Sequence, residues 1–504
     1  MSMFTLPQPV LNIVETLNQH SFEAFVVGGC VRDLLINRAP RDWDITTNAT
    51  PEQIQELFPE SFYENVFGTV GVKVPRFQSS TPEHHEYDII EVTTYRSEAN
   101  YQDHRHPGTI TFETELSKDL SRRDFTINAL AYGKKNGGQD GEWAIIDLFG
   151  GQADLTHKIL RTVGEAQERF QEDALRILRA ARLLAELRNP QEKDFTKSDW
   201  ALEKETRDSL IAERANLEKI SQERIRDEFT KIILSPSKAF GIQLLADLQL
   251  LPYTVPELAE GIDVSQNLHH IYTVWEHNLR ALDTCPSEKL SVLLAALLHD
   301  IAKPRTKRGN GKHSTFYNHD HVGARMTKAM LTRLRYPKDV IEHAALLVDQ
   351  HMFFYNVGEV TDAAVRRLIK RVGLENMDDL MAVRIGDRLG SGVPKAKPYK
   401  LRHLQYMIDK VSEDPISVKM LAVKGTDLIE ELCLKPGPSI GALLDVLLAE
   451  VIEDPNKNTR EFLLSRAEEL VTRSLEELQI LAKERIEEEQ LRDDEKIKNK
   501  HHVQ

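Results

Sequence analysis

Residues 26–47 read VVGGCVRDLLINRAPRDWDITT, and this stretch decides the fold of the amino-terminal part of the chain. A short apolar run ends at Gly28 and Gly29 and leads into VRDLLINR, whose apolar residues recur at helical spacing. The predicted order is therefore strand, glycine turn and helix. Because glycine backbone can approach a ligand closely and a helix start favours negative charge, this turn is a candidate site for a triphosphate.

Two aspartates follow in the segment RDWDI. Asp42 and Asp44 are two residues apart, so on an extended strand their carboxylates face the same side. Like charges held that close are unfavourable unless a divalent cation lies between them, and Mg²⁺ favours one or two carboxylates together with substrate phosphates. The pair therefore predicts a metal site for phosphoryl transfer. Alone, the tripeptide is common and indicates a solvated turn, so the glycine turn before it is needed for this interpretation.

The spacing of apolar residues and the positions of turn residues predict how the chain is organised. Runs such as GTVGVKV, YDIIEVTTYR and GTITFE carry the β-branched residues of strands, and Thr50 with Pro51 predicts the start of a helix. Beyond residue 155 the apolar residues recur mainly at helical spacing. We predict an α+β protein with a mixed-sheet head followed by helical segments. The predicted segments are a head at 1–155, a helical neck at 156–255, a second helical domain at 256–395, a helical tail at 396–475 and a charged terminus at 476–504.

The composition excludes several classes of protein. No apolar run approaches the roughly 20 residues that span a bilayer, and the first residues lack the pattern of an export signal, so we expect a cytoplasmic protein with no membrane partner. The three cysteines are scattered and odd in number, which fits neither a disulfide framework nor a thiolate zinc site. A net charge of −14 argues against general coating of nucleic acid, so any such contact must use a local basic surface.

The stretch 26–47 resembles the signature of class II tRNA nucleotidyltransferases and bacterial poly(A) polymerases, within the polymerase β-like superfamily. Further segments resemble the same family in the same order, and the resemblance covers essentially residues 20–235. It implies a polymerase β-like nucleotidyltransferase head followed by an elongated all-α body. The further segments are EVTTYRSEANYQDHRHPGTITF (91–112), LSRRDFTINALAY (120–132), IIDLFGGQADLTHKILRTVG (145–164) and RFQEDALRILRAARL (169–183).

The resemblance implies a role for each matching residue. Asp42 and Asp44 would hold Mg²⁺, with Glu91 as the third carboxylate and Asp88 as its competitor. The metals would activate an RNA 3′-hydroxyl for attack on the α-phosphate of the nucleotide and stabilise the pyrophosphate. The implied nucleotide-binding residues are Gly28, Gly29, Arg32 and Asp33 in one element, and Arg122, Arg123, Asp124 and Asn128 in another. The alternative for the adjacent arginines is helix capping or a core salt bridge.

The segment EDALR is a candidate for base selection. Asp173 and Arg176 are three residues apart, so on a helix they project from one face. Cytosine and adenine both offer an exocyclic amine beside a bare ring nitrogen, so a carboxylate can accept from the amine while a guanidinium donates to the nitrogen. Uracil and guanine present the opposite pattern. The resemblance implies this protein-templated selection, with Glu172 and Arg179 in support; the alternative is an ion pair on a solvated helix.

The segment SEANYQDHRHPG resembles the flexible loop that moves as enzymes of this family change from C to A addition. Members restricted to adding CC typically lack a functional version of this loop. Asp103 and Arg105 therefore favour complete CCA addition or terminal-A addition. The alternative is an ordinary mobile loop.

A second constellation lies in the helical part of the chain. The segments YTVWEHNL, LLHDIAKP and RIGDRLG supply His277, the adjacent His299 and Asp300, and Asp387. These side chains are hard and borderline ligands that suit a divalent metal. Their order resembles the HD phosphohydrolase superfamily, so we assign an HD domain to 256–395.

The resemblance implies a divalent transition metal at the HD site, namely Mn, Ni, Fe or Co. His319 and either His343 or His351 are candidates for extending the site to a second ion. The alternative is that these histidines are buried and satisfied by hydrogen bonds.

We therefore expect a CCA-adding tRNA nucleotidyltransferase, which transfers CMP and AMP from CTP and ATP to the 3′ end of tRNA. Hydrolysis of a 2′,3′-cyclic phosphate or phosphomonoester at the HD site is a further hypothesis. The nearest alternatives are an A-adding enzyme and a poly(A) polymerase, although the latter usually has a basic tail and no HD domain. Alternatives from other classes are an HD phosphohydrolase and a noncatalytic RNA-binding protein. The sequence leaves the oligomeric state open.

Overall fold

The computed structural model describes residues 4–65, 68–77, 87–101, 107–135, 141–266, 271–309, 313–353, 360–392, 403–404, 407–408, 411 and 417–481. The chain forms two compact units. The first consists of Met1–Ala259 with Arg333–Tyr336, and the second of Glu260–Thr332 with Pro337–Gln504. Within the ranges described, we find no helix that is both long enough and apolar enough to cross a bilayer.

A mixed sheet forms the head of the first unit, which confirms the predicted α+β class. Its strands are β1 (Ala24–Val27), β2 (Asp44–Thr47), β3 (Ser61–Asn65), β4 (Thr69–Pro75), β5 (Tyr87–Thr94), β8 (Leu130–Lys134) and β9 (Trp143–Asp147). They lie in the order β3-β4-β5-β2-β1-β8-β9. The pair of β2 with β5 is parallel, and the other neighbouring pairs are antiparallel. Two smaller sheets pair β6 (Arg96–Tyr101) with β7 (Pro107–Phe112) and β10 (Ile159–Leu160) with β11 (Ala201–Leu202).

Helices connect these strands and continue beyond them in the first unit. They are α1 (Gln8–Gln19), α2 (Gly29–Leu35), α3 (Pro51–Leu57), α4 (Leu116–Ser121), α5 (Gly151–His157), α6 (Ala166–Glu172), α7 (Leu175–Leu187), α8 (Lys204–Glu213), α9 (Gln222–Ile233), α10 (Lys238–Asp247), α11 (Leu251–Thr254) and α12 (Pro256–Ala259). The predicted start of α3 is confirmed, because the Thr50 hydroxyl accepts a hydrogen bond from the backbone of Gln53 and Pro51 is the first helical residue.

The hydrophobic core of the head packs under the strands that lead to the site. Phe25 and Val27 of β1 contact a buried cluster with Tyr95 and Leu120. Burial alternates along strand β5: Asp88, Ile90, Val92 and Thr94 are buried, and the side chains between them face outward. One face of β5 is therefore packed in the core, and the other face, which carries Glu91, is exposed.

The second unit is helical in its described part. Its helices are α13 (Val274–Thr284), α14 (Leu290–Leu298), α15 (Lys303–Thr306), α16 (His319–Arg333), α17 (Lys338–Gln350), α18 (Asp362–Val372), α19 (Met377–Gly390), α20 (Gly425–Glu431), α21 (Pro438–Glu453) and α22 (Arg460–Leu470). Helix α14 is apolar all round and is buried along its length, so it is the central helix against which α13, α17 and α19 pack. A separate buried cluster joins α20, α21 and α22. The five-segment division remains a prediction.

A nucleotide cleft and a histidine cluster

A cleft of about 1060 Å³ in the first unit brings together most of the site residues predicted in the head and neck. Although the chain is acidic overall, this lining is rich in arginine, which gives the local basic surface that the net charge required. Its basic lining residues are Arg32, Arg38, Arg41, Arg96, Arg122, Arg123, Arg176, Arg179, Arg182, Arg224 and Lys231. Its acidic lining residues are Asp33, Asp42, Asp44, Asp124, Asp173 and Glu186.

The glycine turn lies at the floor of the cleft. Gly28 has φ +84° and caps α2, which begins at Gly29, so the predicted order of strand, glycine turn and helix is confirmed. A Cβ added to Gly28 would meet Arg123 Nη1 at 3.0 Å and Asp44 Oδ2 at 3.9 Å. The absence of a side chain at Gly28 therefore lets a cation and a carboxylate approach the same point of backbone.

The two aspartates of RDWDI both line the cleft, but they do not share a strand. Strand β2 begins at Asp44, and Asp42 lies in the bend before it, so the prediction that both project from one strand was wrong. The backbone turns through Arg41 and Asp42 before the apolar alternation of β2 begins. Burial raises the pKa of Asp44; Arg123 lowers it, and the nearby charge of Asp42 raises it again. The charges of the two carboxylates therefore repel each other, and a divalent cation between them would relieve that repulsion.

The neighbouring strand distinguishes Glu91 from Asp88. Glu91 pairs with Asp44 across the parallel β2–β5 ladder, so the two side chains project from the same face. Asp88 is three residues away and hence on the opposite face, where it is buried and its Oδ2 accepts a 2.8 Å hydrogen bond from the backbone of Phe77. Glu91 is exposed and is not among the residues that line the cleft. The geometry favours Glu91 as the third carboxylate.

A buried aspartate fixes the adjacent arginines. Asp119 in α4 accepts hydrogen bonds from Arg122 at 2.8 and 3.0 Å and from Arg123 at 3.2 Å. Burial opposes the charge of Asp119, but Arg123 and Arg122 outweigh this effect and lower the pKa of the carboxyl. The core salt bridge, which was the alternative interpretation of these arginines, is therefore formed. Both arginines also line the cleft. Thr46 of β2 donates to the same carboxylate at 3.2 Å, so the arginines are tied to the strand of Asp44.

A chain of hydrogen bonds links the remaining predicted phosphate-binding residues. Arg32 Nη1 donates to Asn128 Oδ1 at 2.9 Å, and Asn128 Nδ2 donates to Asp124 Oδ1 at 3.2 Å. The other oxygen of Asp124 lies 2.7 Å from Arg179 Nη2. Arg32 also donates to Asp33 at 2.8 and 2.9 Å. These contacts connect α2, the Asp124–Asn128 segment and α7 in one arrangement around the cleft.

The two residues predicted to select the base, Asp173 and Arg176, both line the cleft, but Asp173 does not lie on a helix. It occupies the junction between α6 and α7 in an extended conformation, so the prediction of one shared helical face was wrong. An extended backbone at Asp173 separates the helices because its carboxylate accepts from the backbone of Leu175, as at a helix start. The alternative ion pair is not formed: Arg176 instead pairs with Glu172 at 2.6 Å.

Asp103 and Arg105, which the sequence analysis placed in a loop that moves between C and A addition, lie outside the described residues. The flanking strands β6 and β7 are described and pair as a hairpin. The interpretation of this segment therefore remains a prediction.

The predicted histidine cluster forms in the second unit. His277 Nε2 and His299 Nε2 are 3.0 Å apart, and His277 Nε2 lies 3.3 Å from both Asp300 Oδ2 and Asp387 Oδ1. His277, His299 and Asp300 are buried, and they offer ligand atoms within 4.8 Å of one another, close enough to hold one metal ion. Burial opposes protonation, but Asp300 and Asp387 outweigh it and raise the pKa of His277 to about 9.

The other oxygen of Asp300 faces a second group. His319 Nε2 lies 3.2 Å and His351 Nε2 3.8 Å from Asp300 Oδ1, and these three side chains also meet the geometry of a metal-holding group. His343 does not take part: its ring contacts Ser291 at 2.8 Å and Asp379 at 3.5 Å. Of the two open alternatives for extending the site, the structure therefore favours His351.

Backbone carbonyls orient three of these rings. The Nδ1 atoms of His299, His319 and His351 lie 2.6–2.9 Å from the carbonyl oxygens three residues earlier in the chain. Each Nδ1 therefore carries the proton, and each Nε2 presents a lone pair toward Asp300. The buried Nε2 atoms of His319 and His351 have no hydrogen-bond donor within the part of the chain that the structure describes. Lone pairs that face carboxylate oxygens fit a bound cation.

Three residues that contact predicted site residues were not predicted from the sequence. Asp119 and Arg224 position cleft side chains, and Lys303, in the HDIAKP segment, lies 2.5 Å from Asp300. Lys303 could have been found from its spacing of three residues from Asp300. Asp119 carries the same signal, because it is three and four residues from Arg122 and Arg123. Arg224 carries none, because its partner Asp173 is 51 residues away.

Three family models match parts of the chain. Residues 24–161 match the poly A polymerase head domain, residues 199–262 match the RNA and SrmB-binding site of polymerase A, and residues 324–467 match tRNA nucleotidyltransferase domain 2.

Curated relatives match the amino-terminal half. The CCA-adding enzyme of Geobacillus sp. (strain WCH70) is 40% identical over 247 residues, which are 49% of this chain and 54% of the relative. That of Lactobacillus delbrueckii subsp. bulgaricus (strain ATCC BAA-365 / Lb-18) is 43% identical over 233 residues, which are 46% of this chain and 51% of the relative. The chain thus spans about half the length of the curated relatives it matches.

Solved structures extend the similarity over most of the chain. The Bacillus stearothermophilus CCA-adding enzyme in complex with CTP aligns over 92% of this chain and 98% of that chain, with a TM-score of 0.65 and 26% identity. The Thermotoga maritima CCA-adding enzyme complexed with tRNA aligns over 92% of this chain and 96% of that chain, with a TM-score of 0.50 and 19% identity, and this likeness concerns the fold alone.

Proposed function

We propose that this chain is a CCA-adding enzyme of the cytoplasm, in the family of tRNA nucleotidyltransferases and bacterial poly(A) polymerases, whose domain models match three of its segments. It transfers CMP and AMP from CTP and ATP to the 3′ end of tRNA. The named relatives, which are CCA-adding enzymes, support this activity. The observation that carries the proposal is the meeting of Asp42 and Asp44 with an arginine-rich lining in one cleft.

The donor set of Asp42 and Asp44 fits Mg²⁺, since hard carboxylate oxygens lie beside a surface suited to phosphates. When bound there, Mg²⁺ would neutralise triphosphate charge and activate the RNA 3′-hydroxyl for in-line attack on the α-phosphate. Glu91 projects from the same sheet face as Asp44 and completes the acidic side of the site.

The arginines of the chain bind and orient the triphosphate. Arg122 and Arg123 are held in place by Asp119, and Arg32 is held by Asn128, so little side-chain freedom is lost when phosphates bind. Gly28 lets the phosphates come close to the backbone, because no Cβ occupies the space beside Arg123.

Asp173 and Arg176 select the base. Arg176 Nη1 donates to Glu172 and to the Arg169 carbonyl, and its Nη2 donates to the Arg122 carbonyl. A guanidinium has five N–H groups, so one N–H of Nη2 remains to donate to the bare ring nitrogen of cytosine or adenine. Asp173 supplies the acceptor for the exocyclic amine. Uracil and guanine present the reverse pattern, so their carbonyl oxygen would face the Asp173 acceptor and their ring N–H would face the Arg176 donor.

Extension of defined transcripts tests the proposal. Transcripts of tRNA that end before CCA, after C or after CC are supplied with both CTP and ATP, one of them labelled, and the products are resolved on a gel. We expect all three to be completed to CCA. Extension of only the CC-ended transcript would indicate an A-adding enzyme, and long adenosine tracts a poly(A) polymerase.

Two variants connect the activity to the cleft. Asp44→Ala should abolish extension in a folded protein, whereas Asp173→Ala should retain extension and admit UTP and GTP. Wild-type extension by folded Asp44→Ala would overturn the proposed site. Wild-type selectivity of Asp173→Ala in a four-nucleotide assay would overturn templated selection.

A second candidate function is supported by the histidine cluster. The imidazole and carboxylate donors around Asp300 fit a divalent transition metal, such as Mn, Ni, Fe or Co. Such an ion would supply activation of a water molecule for hydrolysis. We propose a phosphohydrolase activity on a 2′,3′-cyclic phosphate or a phosphomonoester. Metal-loaded wild-type protein that leaves these substrates untouched would contradict it, with His299→Ala as the matched inactive control.

A further inference from the structure

Arg224 holds the carboxylate that selects the base. This residue lies on α9 and lines the cleft, and its guanidinium faces Asp173 with two parallel contacts. Nη1 donates to Oδ1 at 3.2 Å, and Nη2 donates to Oδ2 at 2.7 Å. Such a planar, two-point contact fixes both the position and the rotation of a carboxylate.

The remaining contacts of Asp173 leave room for one more donor. Oδ1 accepts from the backbone of Leu175 at 3.0 Å as well as from Arg224. Oδ2 accepts from Arg224, and within the described residues no second donor reaches it. Because a carboxylate oxygen can accept more than one hydrogen bond, Oδ2 remains able to accept from an exocyclic amine.

The same contact keeps the two selecting residues apart. Asp173 and Arg176 carry opposite charges and line one cleft, so they would attract each other if both were free to turn. Arg176 is engaged by Glu172, and Asp173 by Arg224. Asp173 and Arg176 therefore do not bond to each other, and each keeps hydrogen-bonding capacity for a base in the cleft.

We propose that Arg224 is a positioning residue for nucleotide selection, which holds Asp173 so that Oδ2 accepts the exocyclic amine of cytosine or adenine. This inference rests on the proposed function and extends it. Without the Arg224 contact, Asp173 would keep only its bond to the Leu175 backbone and could turn toward Arg176. The preference for CTP over UTP, and for ATP over GTP, would then fall.

The test measures kcat/KM for single-nucleotide addition by Arg224→Met. A tRNA transcript ending before CCA is supplied with CTP or UTP, and one ending in CC with ATP or GTP. We expect each preference ratio to fall about tenfold, which corresponds to one hydrogen bond to a charged group. Loss of the positive charge alone would weaken all four triphosphates equally and leave the ratios unchanged.

Two further variants on α9 sharpen the test. Arg224→Lys keeps the charge but allows only one contact, so we expect a partial recovery of the ratios and triphosphate affinity near that of wild type. If Arg224→Met does not fold, Arg224→Lys alone tests the positioning role. We then expect its CTP/UTP and ATP/GTP preference ratios to be lower than those of wild type, and wild-type ratios would overturn the role. Arg226→Met is the matched control, because that guanidinium contacts Asp227 and the Arg335 carbonyl rather than the cleft.

The outcomes separate this inference from the proposed function. Unchanged or uniformly lowered kcat/KM in Arg224→Met, with selectivity lost in Asp173→Ala, overturns the positioning role and leaves templated selection intact. A lower KM in Arg224→Met also overturns it, because Arg224 would then compete with the base. Full selectivity in Asp173→Ala overturns templated selection itself.

Discussion

Glu91 lies directly opposite Asp44 in the parallel pairing of β5 with β2, so both carboxylates project from one face of the head sheet. Asp88 projects from the other face and caps the backbone of Phe77. Strand parity therefore predicts different roles for two acids that are close in sequence.

Glu91→Gln and Asp88→Asn should separate these tasks. We expect Glu91→Gln to lower kcat for CMP addition by about 100-fold or more, because the catalytic face loses a carboxylate, while stability changes little. Asp88→Asn should lower the thermal midpoint and leave kcat near that of wild type. Rapid-quench kinetics and thermal melts on both proteins check the assignment, which an active Glu91→Gln protein would contradict.

Asp119→Asn should destabilise the head in a pH-dependent way. The pKa of Asp119 is lowered in the folded protein, so its charge stabilises the fold above the unfolded-state pKa of about 3.9, and that contribution is lost as pH falls through the folded value. Near neutral pH we expect a loss of about 3 kcal/mol, because two arginines lose a buried partner.

Urea unfolding from pH 3 to pH 7 measures this difference. The gap between wild type and Asp119→Asn should narrow toward the acid end. Asp208→Asn is the control, because its ion pair with Lys204 is exposed and weak. A gap that stays constant at every pH would show that packing, rather than charge, accounts for the loss.

Gly28→Ala should impair both folding and catalysis. Its φ of +84° is unfavourable for alanine, which costs on the order of 1–3 kcal/mol. The new methyl group would also meet Arg123 Nη1 at 3.0 Å and displace it. We expect a lower melting temperature and a raised KM for both CTP and ATP. Gly437→Ala, where a Cβ meets an atom at 4.0 Å, should leave nucleotide KM unchanged.

His351→Ala and His343→Ala should differ in metal content. His351 faces Asp300, whereas His343 faces Ser291 and Asp379. After loading with Mn²⁺ or Ni²⁺ and removal of excess metal, we expect His351→Ala to bind about one ion per chain less than wild type. Elemental analysis by mass spectrometry gives the stoichiometry. Equal metal content in both variants would argue against the second ion.

Local patterns predicted the elements of the fold well. The glycine turn, the capped start of α3 and the helical character of the second unit follow from short-range spacing, and each is confirmed. The segments that resemble known motifs also predicted the residues that meet in the cleft, because motif residues are those that share a ligand. Residues that are close together in such a motif can be predicted as neighbours without knowing which distant parts of the chain contact them.

Partners that are distant in sequence could not be predicted in the same way. Arg224 meets Asp173 from a position 51 residues later, and Asp119 meets Thr46 from 73 residues away. The conformation of Asp173 was also mispredicted, because its extended backbone depends on a cap within an otherwise helical sequence. Strand parity at Asp88 and Glu91 became clear only when the register of β5 was known.

The carbonyl contacts of His299, His319 and His351 have a consequence for how the second unit acquires ions. These contacts fix which ring nitrogen of each of the three histidines faces Asp300, so an ion bound there would not have to reorient these three rings. Ions of similar radius should then exchange with little rearrangement of the protein. We would then expect Mn²⁺ and Ni²⁺ to bind with similar affinity, because the three rings are oriented before either ion arrives.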